Sequence, residues 1–174
     1  MSKALVLTLI GSDRPGLVER VSQVIADHEG SWEQSRMARL AGHFAGILQV
    51  RVPDARADGL RAALAGLSAE GLTITVEDSE HEDVGAGDTL LDVELVGQDR
   101  PGIVKEIASA AAAVGVNVLS LESHVAPAPM SGETLFTARA RLQAPASLGV
   151  EALRESLEKI AEDLMADIQV EHAE

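Results

Sequence analysis

The chain has 174 residues, and 14 Lys and Arg against 28 Asp and Glu leave a formal net charge of −14. Such a charge argues against gripping phosphate backbones, which needs clustered Lys and Arg, and 2% aromatics argue against base-stacking platforms. With 46% hydrophobic residues and no cysteine, the chain is too apolar for disorder, long enough for one domain or two small ones, and free of disulfides, thiolate metal sites and cysteine nucleophiles.

The N-terminal segment Met1–Ile10 carries a short apolar run without the small-residue cleavage site of a signal peptide, so it reads as a buried strand. No stretch approaches the roughly 20 apolar residues of a spanning helix. The expected setting is the cytoplasm, without membrane contact.

Residues 4–10 form the first strand, and Asp13-Arg14-Pro15-Gly16 turns the chain. Leu17, Val18, Val21, Val24 and Ile25 recur at helical spacing, which predicts a helix from Pro15 that Gly30 ends. Trp32–Leu40 and Phe44–Val52 read as two strands of a hairpin around Ala41-Gly42-His43. Leu60, Leu64 and Leu67 mark a second helix closed by Gly71, and Leu72–Val76 is a fourth strand. From Glu77 to Asp88 there are six acids, two glycines and no Lys or Arg, the composition of an exposed linker.

The second half repeats the first. Gly11-Ser12-Asp13-Arg14-Pro15-Gly16-Leu17-Val18 recurs 86 residues later as Gly97-Gln98-Asp99-Arg100-Pro101-Gly102-Ile103-Val104. A strand at Leu90–Val96, a helix through Ile103, Ile107 and Ala111, and a strand at Val116–Val125 follow. After a longer loop around Pro127–Gly132 come Leu135–Leu142, a helix through Leu153, Leu157 and Ile160, and Met165–Val170. The order is βαββαβ twice. This predicts an α+β fold of two tandem ferredoxin-like domains, antiparallel sheets with helices on one face, at 1–80 and 89–174 with an acidic linker at 81–88. Each half is too small for more than a modest core, so its open sheet face or edge is expected to pack on another, which points to a homodimer.

The turn after each first strand carries the chemistry. Pro15 and Pro101 suit a first helical position, where the missing N–H costs nothing. Gly16 and Gly102 leave the next amides unshielded, and first-turn amides are unsatisfied and sit at the positive end of the helix dipole. A small carboxylate fits there, and Asp13 or Asp99 can receive an ammonium group one amino acid away. The competing reading is a plain helix start with Asp as its cap.

These residues resemble ACT domains, βαββαβ modules that sense amino acids, whose mark is a strand, an Asp/Asn-Arg-Pro-Gly-(Ile/Leu/Val) turn and a Gly-x-Asn-Ile opening of the second strand. The resemblance spans nearly the whole chain. The segment from Trp32 to Gly46 makes it most similar to the tandem-ACT regulators of the glycine cleavage repressor type. The resemblance implies a non-enzymatic sensor of a small amino acid, glycine or serine, that modulates a transcription factor by protein contact, with no cofactor and no metal. Carried over, the ligand residues are Asp13, Gly16 and Leu17 in the first repeat and Asp99, Gly102 and Ile103 in the second. Asn117 matches an Asn that contacts the ligand from a neighbouring domain, and the first repeat departs by placing Ser31 there. Ser offers one hydroxyl where Asn offers an amide donor and a carbonyl acceptor.

Two other functions compete. One is a ligand-free oligomerisation or adaptor module. The other is a small hydrolase, because Arg14, Arg100 and Asn117 invite comparison with ferredoxin-like acylphosphatases; their loop, however, lacks this Pro and holds its Arg deeper. The five histidines show no ligand-pair spacing, and no G-x-S-x-G is present.

Overall fold

The computed structural model describes residues 1–79 and 88–173. The chain divides into two compact units, Met1–His81 and Glu82–Glu174. The expected linker, 81–88, lies outside the described residues except for Asp88, whose carboxylate accepts a 2.6 Å hydrogen bond from the Gln143 amide.

In the first unit, β1 (Ser2–Ser12), α1 (Leu17–Asp27), β2 (Ser31–Leu40), β3 (His43–Pro53), α2 (Asp54–Gly66) and β4 (Leu72–Asp78) follow in order, with a 3-10 turn (Leu67–Glu70) after α2. The second unit repeats this as β5 (Thr89–Gln98), α3 (Ile103–Ala113), β6 (Asn117–Pro127), β7 (Thr134–Ala144), α4 (Val150–Leu164) and β8 (Ala166–His172). The sheets are antiparallel, in the orders β2-β3-β1-β4 and β6-β7-β5-β8. The α+β, twice-βαββαβ architecture is the one the patterning predicts.

Strand alternation sends one row of side chains to the helices. In the first unit Leu5, Leu7 and Leu9 of β1 join Leu48, Val50 and Val52 of β3 against Val21, Val24 and Ile25 of α1 and Leu60 and Leu64 of α2. Burying each large aliphatic chain contributes roughly 1.5–3 kcal/mol. The second unit's core falls into two clusters, one around Leu91, Leu142, Leu153 and Leu157 and one around Leu95, Ile103 and Phe136.

Two local expectations change. Helix α1 starts at Leu17, not Pro15, because Gly16 takes φ 89°, a left-handed conformation that no helical residue has; Gly102, at φ 91°, does the same before α3. The prolines therefore lie in the turn ahead of the helix. The first hairpin is a two-residue turn, with Ala41 and Gly42 both at positive φ (48° and 79°) and Leu40 paired to His43. That is the primed geometry whose twist matches the strands. The open sheet face of the second unit is charged. Arg141 makes two 2.8 Å bonds to Asp92, and Arg139 lies 3.3 Å from Glu94. Among the described residues no helix is long and apolar enough to cross a membrane.

Candidate ligand-binding turns

Each turn hangs between a strand end and a helix start. The Asp13 amide donates to the Gly42 carbonyl (2.9 Å), tying the first turn to the hairpin, and the Asp99 amide donates to Thr134 (2.8 Å). Helical bonding begins where the Arg20 amide donates to Gly16 (2.9 Å) and the Glu106 amide to Gly102 (3.0 Å). Among the described residues the amides of Leu17, Val18 and Glu19 in the first unit, and of Val104 and Lys105 in the second, have no acceptor. Neither helix has a side-chain cap, so the aspartates are not caps. A depression of ≈ 280 Å³ opens over the first turn, lined by Asp13, Arg14, Gly16, Leu17, Glu19 and Phe44. One of ≈ 450 Å³ opens beside the second, between α3 and α4, and includes Gly102 and Lys105.

The two aspartates differ in what holds them. The Asp13 carboxylate sits 2.7 Å from the Arg39 guanidinium on β2. At the matching position of β6, 86 residues on, stands Val125. Among the described residues the Asp99 carboxylate makes no hydrogen bond or ion pair. A cation approaching Asp13 would compete with Arg39, whereas among the described residues none competes at Asp99.

The arginines of the turns are structural in both units. Arg14 donates to the Glu70 carbonyl (2.6 Å), and Arg20 forms a forked pair with the Glu70 carboxylate (2.8 Å). Hydrogen bonding from Arg20, helped by its charge, holds Glu70 below the usual carboxylate range. Arg100 pairs with Glu106 on the helix that follows its turn (2.7 Å).

Ser31 and Asn117 are exposed first residues of β2 and β6. Register places them at the far end of each sheet. Ser31 pairs with Arg51 beside Ala4, whereas the Asp13 end is where Ser12 pairs with His43. Asn117 pairs with Gln143 beside Leu90, and the Asp99 end lies past Gln98. Eight residues of strand separate the two ends, roughly 26 Å at about 3.3 Å per residue. A single unit therefore brings together Asp13, Gly16 and Leu17, or Asp99, Gly102 and Ile103, but neither Ser31 nor Asn117. For the same reason Arg100 and Asn117 do not converge as a hydrolase would need.

One feature of the second unit escapes the motif search. Val104, Ile107 and Ala111 of α3, with Val118 and Leu121 of β6 and Phe136 of β7, wall an apolar groove. In the first unit two of the matching positions carry larger groups, Ile25 where α3 has Ala111 and Trp32 where β6 has Val118. Trp32 and Met37 pack on the first core, whereas Val118 and Leu121 remain 42% and 48% exposed. Setting the repeats residue against residue reveals the groove; reading either alone does not.

The chain belongs to the ACT domain family, whose profile matches residues 3–77 and again 89–171. Its fold is similar over 100% of both chains to a protein of unknown function from Galdieria sulphuraria, at 29% identity and a TM-score of 0.84. It is also similar, at 15% identity and a TM-score of 0.75, to a protein provisionally named a glycine cleavage system transcriptional repressor, over 100% of this chain and 99% of that one. Among curated proteins none matches the sequence.

Proposed function

We propose that this protein is a non-enzymatic regulator that senses a small amino acid and modulates a transcription factor by protein contact. The observation that carries the reading is the second turn, where amides at the start of α3 and the Asp99 carboxylate have no partners among the described residues. The ligand carboxylate docks on those amides beyond Gly102 and Ile103, and its ammonium group meets Asp99. Asn117 completes a site from another ACT module, because its own turn is out of reach. Glycine or serine is the favoured ligand, by likeness to the glycine cleavage repressor type; the proposed domain limits are 1–80 and 89–174, in a cytoplasmic homodimer.

Calorimetry with a panel of amino acids tests this reading. A lost hydrogen bond to a charged ligand group costs on the order of 1.5–3 kcal/mol, so Asp99→Ala and Asn117→Ala each weaken binding at least about tenfold. Ser31→Ala changes it little. Loss of binding on substituting Asp13 and Ser31, with Asp99 and Asn117 substitutions silent, assigns sensing to the first repeat. Absence of binding by every amino acid leaves the adaptor reading, which the apolar groove beside β6 favours.

A further inference from the structure

Val104, Ile107, Ala108 and Ala111 lie on a single face of α3, at the spacing i, i+3, i+4, i+7, and with Val118 and Leu121 of β6 they wall the groove of the second unit. The groove runs inward to Leu95 and Leu157, one from each of the two clusters into which this core is divided. Every side chain in its lining is apolar. Its volume is ≈ 60 Å³, well under the roughly 150 Å³ of a cavity that holds benzene. There is room for a few carbon atoms and not for an aromatic ring. The groove begins at the candidate site. Val104 supplies one of the α3 amides that have no acceptor among the described residues, and the same residue forms part of the groove wall. The dock for a carboxylate and the apolar crevice thus meet within one residue. In the first unit Ile25 and Trp32, at the positions of Ala111 and Val118, pack into the core instead.

Resting on the amino-acid site proposed above, we infer that the ligand of the second turn carries a short branched aliphatic side chain, that of valine. The side chain seats in the α3–β6 groove while the ligand carboxylate sits on the Val104 and Lys105 amides. Where likeness to the glycine cleavage repressor type favours glycine or serine, the groove selects against both. Glycine leaves the groove empty. Serine sets a hydroxyl among side chains that offer it no hydrogen-bond partner, a desolvation cost with nothing to offset it. The ring of phenylalanine exceeds the space. The two methyl groups of valine leave water for contact with Val104, Ile107 and Leu121, and each added methylene in an apolar pocket discriminates roughly tenfold or more.

Calorimetry of the full chain with glycine, L-serine, L-valine and L-phenylalanine tests it. L-valine is expected to bind at least about thirtyfold more tightly than glycine or L-serine, and L-phenylalanine no more tightly than glycine. Ala111→Ile and Val118→Trp each bring the first unit's group into the groove. Either is expected to reduce valine affinity to that of glycine and to leave glycine binding unchanged, which also reports a folded site; if one variant does not fold, the other decides. Asp99→Ala weakens valine and glycine alike. Glycine or L-serine binding as tightly as L-valine overturns the inference and leaves the amino-acid site standing, as does a valine preference that survives both fillings. Absence of binding by all four overturns the site and the inference with it.

Discussion

The two units share a topology and a turn sequence, yet the first closes over its core and the second leaves its core open along one side. In the first, Trp32 and Met37 of the edge strand reach back onto the core cluster. Gly46 makes room for Met37, since a Cβ there would lie 2.5 Å from the Met37 Cγ and 2.7 Å from the Arg36 carbonyl. In the second, Ala138 pairs opposite Ser123, and the α3–β6 seam stays open. Polar groups are exchanged as well. Arg39 holds Asp13, while with Val125 at the matching position Asp99 has no partner among the described residues. The duplicated backbone thus supports one unit suited to packing and one suited to binding.

This comparison predicts, as its largest effect, that the second unit unfolds before the first. Trp32, the sole tryptophan, reports the first unit alone, whereas far-ultraviolet circular dichroism reports both. On heating, a dichroism transition is expected before the fluorescence transition, and Leu153→Ala should widen the gap by destabilising the second unit by about 2–5 kcal/mol. Coincident transitions that shift together would show that the open seam does not separate the units energetically.

Next in size is the Gly46 contact. Gly46→Ala should cost roughly 1–3 kcal/mol, because the Arg36 backbone must give way. The reverse change opposite Ser123, Ala138→Gly, relieves no clash and should cost about 0.5–1 kcal/mol through chain entropy. Denaturant titrations of the two variants compare them directly.

Glu29 offers a gain. It sits at φ 57° after α1, where the repeat has Gly115 at φ 76°. Glu29→Gly should stabilise the first unit by about 0.5–1 kcal/mol, since the left-handed penalty outweighs its exposed 2.9 Å pair with Arg56. Destabilisation on the same titration would mean that this ion pair is worth more than the backbone strain.

The smallest effect is on acid stability. The hydrogen bonds and charge of Arg141 hold Asp92 below its ordinary range. A carboxylate lowered in this way stabilises the fold above its unfolded pKa, and that contribution fades as pH falls through the lower folded value. Asp92→Asn should flatten the acid limb of the second unit's stability profile and leave that of the first unchanged.

Much of this was legible in the sequence. Alternation in Leu5-Val6-Leu7-Thr8-Leu9 marks a strand with one buried row, and Leu60 and Leu64 mark a helix with one apolar stripe, because local periods of two and 3.6 decide which side chains share a face. The turns are readable through Pro and Gly, whereas the helix starts two residues after Pro15, because Gly16 takes a positive φ that its small size alone does not announce.

What the sequence by itself determined, then, is the element order, the duplication, the family and the acidic and amide groups of the two turns, all of which follow from short-range spacing. Only the tertiary structure decided that Ser31 and Asn117 lie a strand's length from their own turns, that Arg39 pairs with Asp13 while Asp99 has no partner among the described residues, and that Asp92–Arg141 and Glu94–Arg139 pair across the open face of the second unit. Those facts depend on strand register. Register brings together residues far apart in the chain, and a shift of a single position would send every side chain to the opposite face.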